Sequence, residues 1–174
     1  MKNNEIRLLA ELLKNSKKSD RELGRILGLS QATVSRTRTK LEKDGVIQEY
    51  SILPDFSKLG FELFAITTGW FKVPRDEKLQ ERARAWMSKY PNVILSSRAT
   101  GMGKDAVLVS LHRTFADYEN FMVELKSGWS DYVEDIESIL INLKGFMAKP
   151  FSLKYLAEIL NPSKATVQKE IKSK

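Results

Sequence analysis

The stretch from Ser19 to Leu41 constrains the fold of this chain more than any other part of the sequence. Ser19, followed three residues later by Glu22, forms a capping box, in which each side chain binds one free backbone N–H at the start of a helix. Gly28 stands where this helix ends, because glycine tolerates the left-handed residue that closes many helices. Ser30 then offers a second N-cap. The stretch is therefore predicted to form two short helices joined by a tight turn.

The second of these helices is predicted to have one apolar stripe and one polar, cationic face. Val34 and Leu41, seven residues apart, continue the stripe that packs on the first helix. Arginine and glutamine on the outward face can pair bidentately with guanine and adenine in the major groove of DNA. The candidate DNA-binding residues are Ser30, Gln31, Thr33, Ser35, Arg36, Arg38, Thr39 and Lys40. The alternative is a solvated face on an ordinary two-helix corner.

Two segments of this region also carry a family resemblance. Leu-Gly-Leu-Ser-Gln-Ala-Thr-Val-Ser-Arg at 27–36 is followed by Leu-Glu-Lys-Asp-Gly-Val-Ile at 41–47. This combination resembles the winged helix-turn-helix of the Lrp/AsnC transcriptional regulators. Because other winged regulators share the motif, the second half of the chain must decide the family.

Four of the candidate residues have distinct predicted roles on DNA. Arg36 and Gln31 are expected to contact bases, and Arg38 and Lys40 are expected to contact phosphates. Arg38 departs from helices of this kind, in which its position is usually apolar. Its aliphatic stem is predicted to pack inward while the guanidinium reaches a phosphate.

The flanking segments complete the predicted DNA-binding domain, residues 1–52. A first helix is predicted over 5–15, with leucines and an isoleucine on one face. Val46 to Ile52 alternates apolar and polar residues and is predicted to form a short strand pair, the wing. Pro54 and Gly60 mark a linker at 53–60.

From Phe61 onward the apolar pattern alternates between strand and helix periods. The predicted strands cover 61–67, 93–100, 106–112 and 136–143, and the predicted helices cover 76–89 and 116–127. This β-α-β-β-α-β order predicts a ferredoxin-like domain at 61–148, with one sheet and both helices on one face. The fold class is therefore α+β, a winged helix-turn-helix followed by a ferredoxin-like domain and a C-terminal helical extension.

The same order is similar to the regulatory domain of Lrp/AsnC proteins, so the resemblance covers about residues 5–145. It implies dimerisation through the sheet and a small-molecule effector near the turn between the second and third strands. The corresponding residues here are Gly101, Met102, Gly103, Lys104 and Asp105. Lys104 stands where the family has an acid, and a lysine repels the α-ammonium of an amino acid. A standard amino acid is therefore not the expected ligand, and a hairpin turn without any ligand is the alternative.

The predicted tail, residues 149–174, repeats part of the opening motif. Residues 156–167 match residues 23–34 at seven of twelve positions, and the matches are the core residues and the start of the second helix. Ser152 is expected to cap the first tail helix. One hypothesis is a truncated second helix-turn-helix, packed on the regulatory domain or a partner subunit, that contacts DNA through Lys164, Gln168, Lys169 and Lys172. The alternative is a common helix pair that matches by chance.

Charge and composition limit the remaining function classes. The net charge of +7 divides into +4 for residues 1–50, zero for 51–150 and +3 for 151–174, which suits double-stranded DNA as a partner of the chain ends. The chain has no cysteine and one histidine, His112, so no metal site, cofactor or catalytic residue is predicted. No apolar run could cross a membrane and no signal peptide is visible, so no membrane partner and a cytoplasmic location are expected.

Three functions are consistent with these patterns. The leading one is a sequence-specific DNA-binding regulator that acts as a homodimer or higher oligomer. A second follows from the resemblance, since Lrp-like tetrapyrrole decarboxylases of the sirohaem branch use histidines in the regulatory sheet. This chain has Ile94-Leu-Ser-Ser-Arg98 where such a histidine is sought. The third is an architectural DNA-binding protein with little sequence preference, against which the modest +4 of residues 1–50 argues.

Overall fold

Three helices form the core of the first 53 residues, and they were all predicted from the sequence. They are α1 (Asn3–Lys14), α2 (Asp20–Leu27) and α3 (Gln31–Lys43). Their buried side chains form one apolar cluster, made of Leu8, Leu12, Leu23, Leu27, Val34 and Leu41. The helical periods of the sequence place these residues on the inward faces, which is why the three helices close around them.

The segment after α3 does not form the predicted strand pair. The structure assigns no strand to residues 46–52, so the expectation of a two-stranded wing there is wrong. The N–H groups of Val46 and Ile47 both donate to the carbonyl of Leu41, at 2.9 and 3.1 Å, after a left-handed turn at Gly45. These donors close the end of α3, so they are not free to pair with another strand.

The middle of the chain folds as one four-stranded sheet with two helices. The elements are β1 (Leu63–Phe71), α4 (Glu77–Met87), β2 (Val93–Gly101), β3 (Lys104–His112), α5 (Phe115–Trp129) and β4 (Val133–Asn142). The strand order across the sheet is β2-β3-β1-β4, and every neighbouring pair is antiparallel. The predicted βαββαβ ferredoxin-like domain is therefore confirmed.

Both helices of this domain pack on the same face of the sheet. Its buried core joins Leu79 of α4, Leu108 of β3, and a run of α5 residues that ends at Trp129. Aromatic rings line the contact, and the centroids of Trp86 and Trp129 lie 6.1 Å apart in an edge-to-face arrangement. The opposite face of the sheet carries no helix of this domain.

The strands β1 and β4 extend beyond the predicted limits. β1 continues past Thr67 to Phe71, since Thr68 and Gly69 still pair with Val107 and Ala106 of β3. Threonine and glycine at this point interrupt the alternation of apolar residues, so the sequence pattern ended early. The segment stays extended because it pairs with neighbouring strands, and the sequence of a single strand does not reveal its pairing partners.

The structure, a computed structural model, describes residues 1–161. The chain divides into a helical unit, residues 1–53 with the tail from residue 148, and a sheet unit, residues 54–147.

In the tail, a 3-10 turn (Leu153–Tyr155) and α6 (Leu156–Leu160) contact α1, and Ala157 is fully buried. The described part of the tail therefore packs on α1 and not on the regulatory domain, and the proposed DNA contacts Lys164, Gln168, Lys169 and Lys172 lie outside the described residues. Ser152 accepts a bond from the N–H of Lys154, as predicted for a cap. No helix in the described residues is long and apolar enough to cross a membrane.

Candidate DNA-binding surface

The turn between α2 and α3 is fixed by hydrogen bonds within a few residues of the chain. The N–H of Ser19 donates to the Glu22 carboxylate at 2.7 Å, and the N–H of Glu22 donates to the Ser19 hydroxyl at 3.3 Å. Gly28 ends α2 in the left-handed region, with φ of 70°. The N–H of Thr33 then donates to the hydroxyl of Ser30 at 3.1 Å and starts α3. The predicted caps and turn are confirmed.

A close backbone approach at Gly24 holds the two helices together. A Cβ atom at this position would lie 2.7 Å from the carbonyl oxygen of Leu29, closer than real Cβ atoms come to non-bonded atoms. The same backbone is tied by the N–H of Leu29, which donates to the Gly24 carbonyl at 2.9 Å. Glycine is therefore required here for space, which sets the direction in which α3 leaves the turn.

The outward face of α3 is exposed and mostly free to contact a partner. Of the eight predicted DNA-binding residues, all except Arg38 are exposed. Among the described residues, the side chains of Gln31, Ser35 and Arg36 have no hydrogen-bond or ion-pair partner. Their donors and acceptors therefore remain available to the edges of bases.

Ser30 and Thr33 are exposed but already take part in the cap of α3. Their hydroxyl oxygens lie 2.8 Å apart, and Ser30 also accepts the backbone bond from Thr33. The hydroxyl hydrogens can still turn outward, while the cap itself fixes where these side chains stand. The first turn of α3 is therefore rigid, which favours selective contact with DNA.

The guanidinium of Arg38 is held by groups of the helical unit itself. Its Nη2 atom lies 2.8 Å from the carboxylate of Asp20 and donates to the carbonyl of Lys18 at 3.3 Å, and Nη1 donates to the hydroxyl of Tyr50 at 3.3 Å. Burial alone would lower the pKa of Arg38, but its bonds to Tyr50 and Asp20 raise it. These contacts tie α3 to the start of α2, and the phosphate contact of Arg38 stays a prediction.

Lys40 remains half exposed and also forms two ion pairs. Its ammonium lies 2.8 Å from the carboxylate of Glu5 in α1 and 3.0 Å from that of Asp44. The hydrogen bond from Lys40 lowers the pKa of the Glu5 carboxyl, and the same contact raises the pKa of Lys40. With a side chain 55% exposed, Lys40 can still reach a phosphate oxygen.

The sequence did not indicate the partners that hold these cations. Glu5 and Asp20 lie 35 and 18 residues away from Lys40 and Arg38, and no local pattern links positions so far apart. One signal was present for Arg38, which stands between Val34 and Leu41 on the helical repeat and so faces inward. Tyr50 had been assigned to the wing, whereas its hydroxyl donates to Glu42 at 2.8 Å.

The predicted effector turn of the sheet unit is a tight hairpin. Gly101 pairs with Lys104, and Met102 and Gly103 between them both have positive φ, 54° and 68°. Two central residues with positive φ form the turn type that matches the twist of antiparallel strands. Met102 is 94% exposed at the tip.

Both charged residues of this turn are held by groups of the sheet unit itself. The ammonium of Lys104 donates to the carbonyl of Asp135 at 2.6 Å and lies 3.3 Å from the Glu137 carboxylate. Asp105 is ion-paired with Arg75 and accepts the N–H of Phe71 at 3.0 Å. Neither charge is free at the tip of the turn, so the turn by itself offers no ready site for an ionic ligand.

Comparisons with known proteins show which proteins this chain is similar to. Residues 1–48 match the family model described as winged helix-turn-helix DNA-binding. The chain is 30% identical to the HTH-type transcriptional regulator PH0061 of Pyrococcus horikoshii over 79% of this chain and 90% of the relative. The crystal structure of PH0061 superposes with a TM-score of 0.73, covering 87% of this chain and 97% of that one.

A second relative comes from a bacterium. The HTH-type transcriptional regulator LrpC of Bacillus subtilis is 31% identical over 56% of this chain and 65% of the relative. Its structure gives a TM-score of 0.68, with 86% of this chain and 99% of LrpC covered. A regulator of Neisseria meningitidis solved as a complex with L-Met shares the fold, with a TM-score of 0.71, 20% identity, and coverage of 90% and 99% of the two chains.

Proposed function

Since the chain belongs to the Lrp/AsnC family of transcriptional regulators, we propose that it recognises a specific DNA sequence through the outward face of α3. The observation that carries this proposal is the set of unpaired polar side chains on a helix whose start and direction are fixed. Gln31 and Arg36 are the proposed base contacts, because their planar groups can form paired hydrogen bonds to adenine and guanine. Ser30, Thr33, Ser35, Thr39 and Lys40 complete the proposed contact surface.

The proposed active form is a dimer that pairs the open face of the sheet. Cross-strand pairing aligns Leu95, Val109, Ile66 and Ile139 in one row across all four strands, on the side away from the helices. The outer members of this row, Leu95 and Ile139, are 51% and 62% exposed. An apolar row of this kind is costly to leave in water, which supports its burial against a second copy.

A dimer would present two copies of α3 to the DNA. If these enter successive major grooves on one side of the duplex, about 34 Å apart, the preferred site is a near-palindrome with half-sites one helical turn apart. Sequence preference then comes from the few base contacts of each α3, and phosphate contacts add affinity without preference.

A small-molecule effector of the sheet unit is part of the proposal. Its support is the regulator of similar fold that was solved with L-Met. In this chain the turn at 101–105 would offer the Met102 side chain and glycine backbone to such a molecule, because the charges of Lys104 and Asp105 are already paired. An ionic contact like that expected for an α-ammonium is therefore not proposed at this turn.

The placement of His112 gives the decarboxylase alternative no support. This side chain is only 3% exposed and lies between the hydroxyl of Ser110, at 2.8 Å, and the rings of Tyr118 and Phe121. A histidine that binds or protonates a tetrapyrrole must reach the substrate, and this one is enclosed by the core of its own unit.

Replacing Arg36 with alanine tests the proposal. The preferred DNA site is first selected from a random pool with the full chain, and affinities are then measured for that site and its single-base variants. Arg36→Ala should cost about 1 to 3 kcal/mol and remove the preference at one base position of each half-site. Lys89→Ala, which removes a positive charge from the sheet unit, is the control and should bind like the original chain.

The two outcomes are well separated. Loss of preference at one position assigns Arg36 to base recognition. If Arg36→Ala weakens all sequences equally, the outward face of α3 contributes only phosphate contacts and the proposed recognition is wrong.

A further inference from the structure

A cavity of about 290 Å³ lies within the sheet unit, between α4 and the helix-covered face of the sheet. Much of its lining is apolar and includes Leu79, Leu108 and Leu125, all of which belong to the buried core. Nothing in the regulator function described above uses this space. Its chemistry is instead set by the polar groups that reach it.

Two arginines without partners stand in the lining of this cavity. Arg98 lies on β2 opposite Ala106, two residues from Ser96, which pairs with the core residue Leu108. The period of a strand therefore places the Arg98 side chain on the helix-covered face. Arg84 follows Ala83 on α4, and both line the cavity. Among the described residues, neither the guanidinium of Arg84 nor that of Arg98 has an ion-pair or hydrogen-bond partner.

The charged side chains in the lining are all positive. A third arginine, Arg75, is neutralised by its ion pair with Asp105, and its guanidinium lies 4.6 Å from the ring centroid of Phe71. Among the described residues that line the cavity, none is acidic. Arg84 and Arg98 therefore leave an uncompensated positive charge beside an apolar space, which favours an anion with an apolar body.

A buried hydrogen-bond donor supplies an independent indication of a ligand. Trp129 lines the cavity and is 3% exposed, and its indole N–H has no acceptor among the described residues. Leaving such a donor unpaired is unfavourable, because it loses its hydrogen bond to water without gaining another, so buried indole N–H groups nearly always have an acceptor. A molecule in the cavity that carries an oxygen acceptor would satisfy it.

We infer that this cavity binds an apolar monocarboxylate with a second oxygen acceptor, of the class of branched-chain or aromatic α-keto acids. The carboxylate pairs with Arg84 and Arg98, the side chain lies on the leucines, and the keto oxygen accepts the N–H of Trp129. Because the lining has no acid to pair with an ammonium, the corresponding amino acids are disfavoured. The inference does not depend on DNA recognition and concerns a place separate from the turn at 101–105.

Calorimetric titration of the full chain tests this assignment. The probes are phenylpyruvate and α-ketoisocaproate, and the matched comparators are phenylalanine and leucine, which replace the keto oxygen with an ammonium. The keto acids should bind saturably and the amino acids at least roughly tenfold more weakly. Arg98→Gln should raise the Kd of the keto acids by roughly tenfold or more, as expected for one lost charge-assisted bond. Lys89→Gln removes an equal charge outside the lining and should leave Kd unchanged.

The indole N–H resonance of Trp129 gives a second readout that does not depend on affinity. It is assigned with Trp129→Phe, and saturation with a keto acid should shift it, whereas the resonance of Trp70, which is outside the lining, should stay in place. The inference is overturned if neither keto acid binds at millimolar concentration, if amino acids bind as well, or if the Trp129 resonance does not move. It is equally overturned if Arg98→Gln and Lys89→Gln behave alike.

Discussion

At the scale of single residues, some cationic side chains of this chain are ion-paired within the fold, and others are exposed and unpaired. Arg38 and Arg36 are two positions apart on α3, yet Arg38 contacts Asp20 at 2.8 Å while Arg36 has no partner among the described residues. The sequence shows two similar arginines on one cationic helix. The difference follows from the helical repeat, which turns one side chain toward α2 and the other toward solvent.

Acidification should destabilise the sheet unit through His112. Burial lowers the pKa of His112 below its ordinary value of 6.5, and the charge of Asp117 offsets only part of this effect. The unfolded chain therefore binds a proton that the folded chain resists, so this contribution to stability is complete above the unfolded pKa. It is lost as the pH falls through about 6.5 toward the folded pKa. The loss is at most about 1.4 kcal/mol for each unit by which the pKa is lowered.

Urea unfolding at several pH values between about 7.5 and 5.5 checks this expectation. All three tryptophans lie in the sheet unit, so their fluorescence reports its unfolding. His112→Gln keeps a polar group but does not titrate in this range, and its free energy of unfolding should depend less on pH. An equal pH dependence in both proteins would show that His112 does not contribute.

At the scale of elements, features that depend on neighbouring residues could be predicted from the sequence, whereas contacts between distant residues could not. The caps at Ser19 and Ser30 act within three residues of the chain, so their partners are visible in the sequence. The absence of a strand pair at 46–52 depends on where the N–H groups of Val46 and Ile47 donate, which alternation alone does not reveal. The cavity between α4 and the sheet could not be predicted from the sequence either. Its lining residues Arg84, Arg98 and Trp129 belong to three different elements, which come together only in the folded domain.

The α2-turn-α3 element should not tolerate a methyl group at Gly24. Alanine is the better helix former by up to about 1 kcal/mol, so a site with free space would be stabilised by the substitution. Here the new Cβ would stand 2.7 Å from the Leu29 carbonyl, and Gly24→Ala should instead cost about 1 to 3 kcal/mol. Thermal unfolding measured by circular dichroism, together with affinity for the selected DNA site, checks both effects. A variant of raised stability would contradict the close approach.

At the scale of the whole molecule, the open sheet face should control the oligomeric state. Ile139→Asp places a charge in the apolar row of β4, where pairing with a second copy would bury it without a partner. Sedimentation analysis should find a monomer, and affinity for a site with two half-sites should fall by roughly 10²-fold as the two contacts become independent. Val123→Asp, on an α5 residue that is 68% exposed, is the control and should remain a dimer. A dimeric Ile139→Asp would place the interface elsewhere.

The division of the chain has a mechanical consequence. Because the helical unit takes residues from both sides of the sheet unit, the sheet unit is joined to it by two chain crossings, near residues 53 and 148. A domain joined by one linker can rotate about that linker. A domain joined by two linkers is an insertion, and its rotation would twist both linkers. After a cut at either crossing, the described part of the tail stays with residues 1–53 through non-covalent contacts, among them those of the 3-10 turn and α6 with α1.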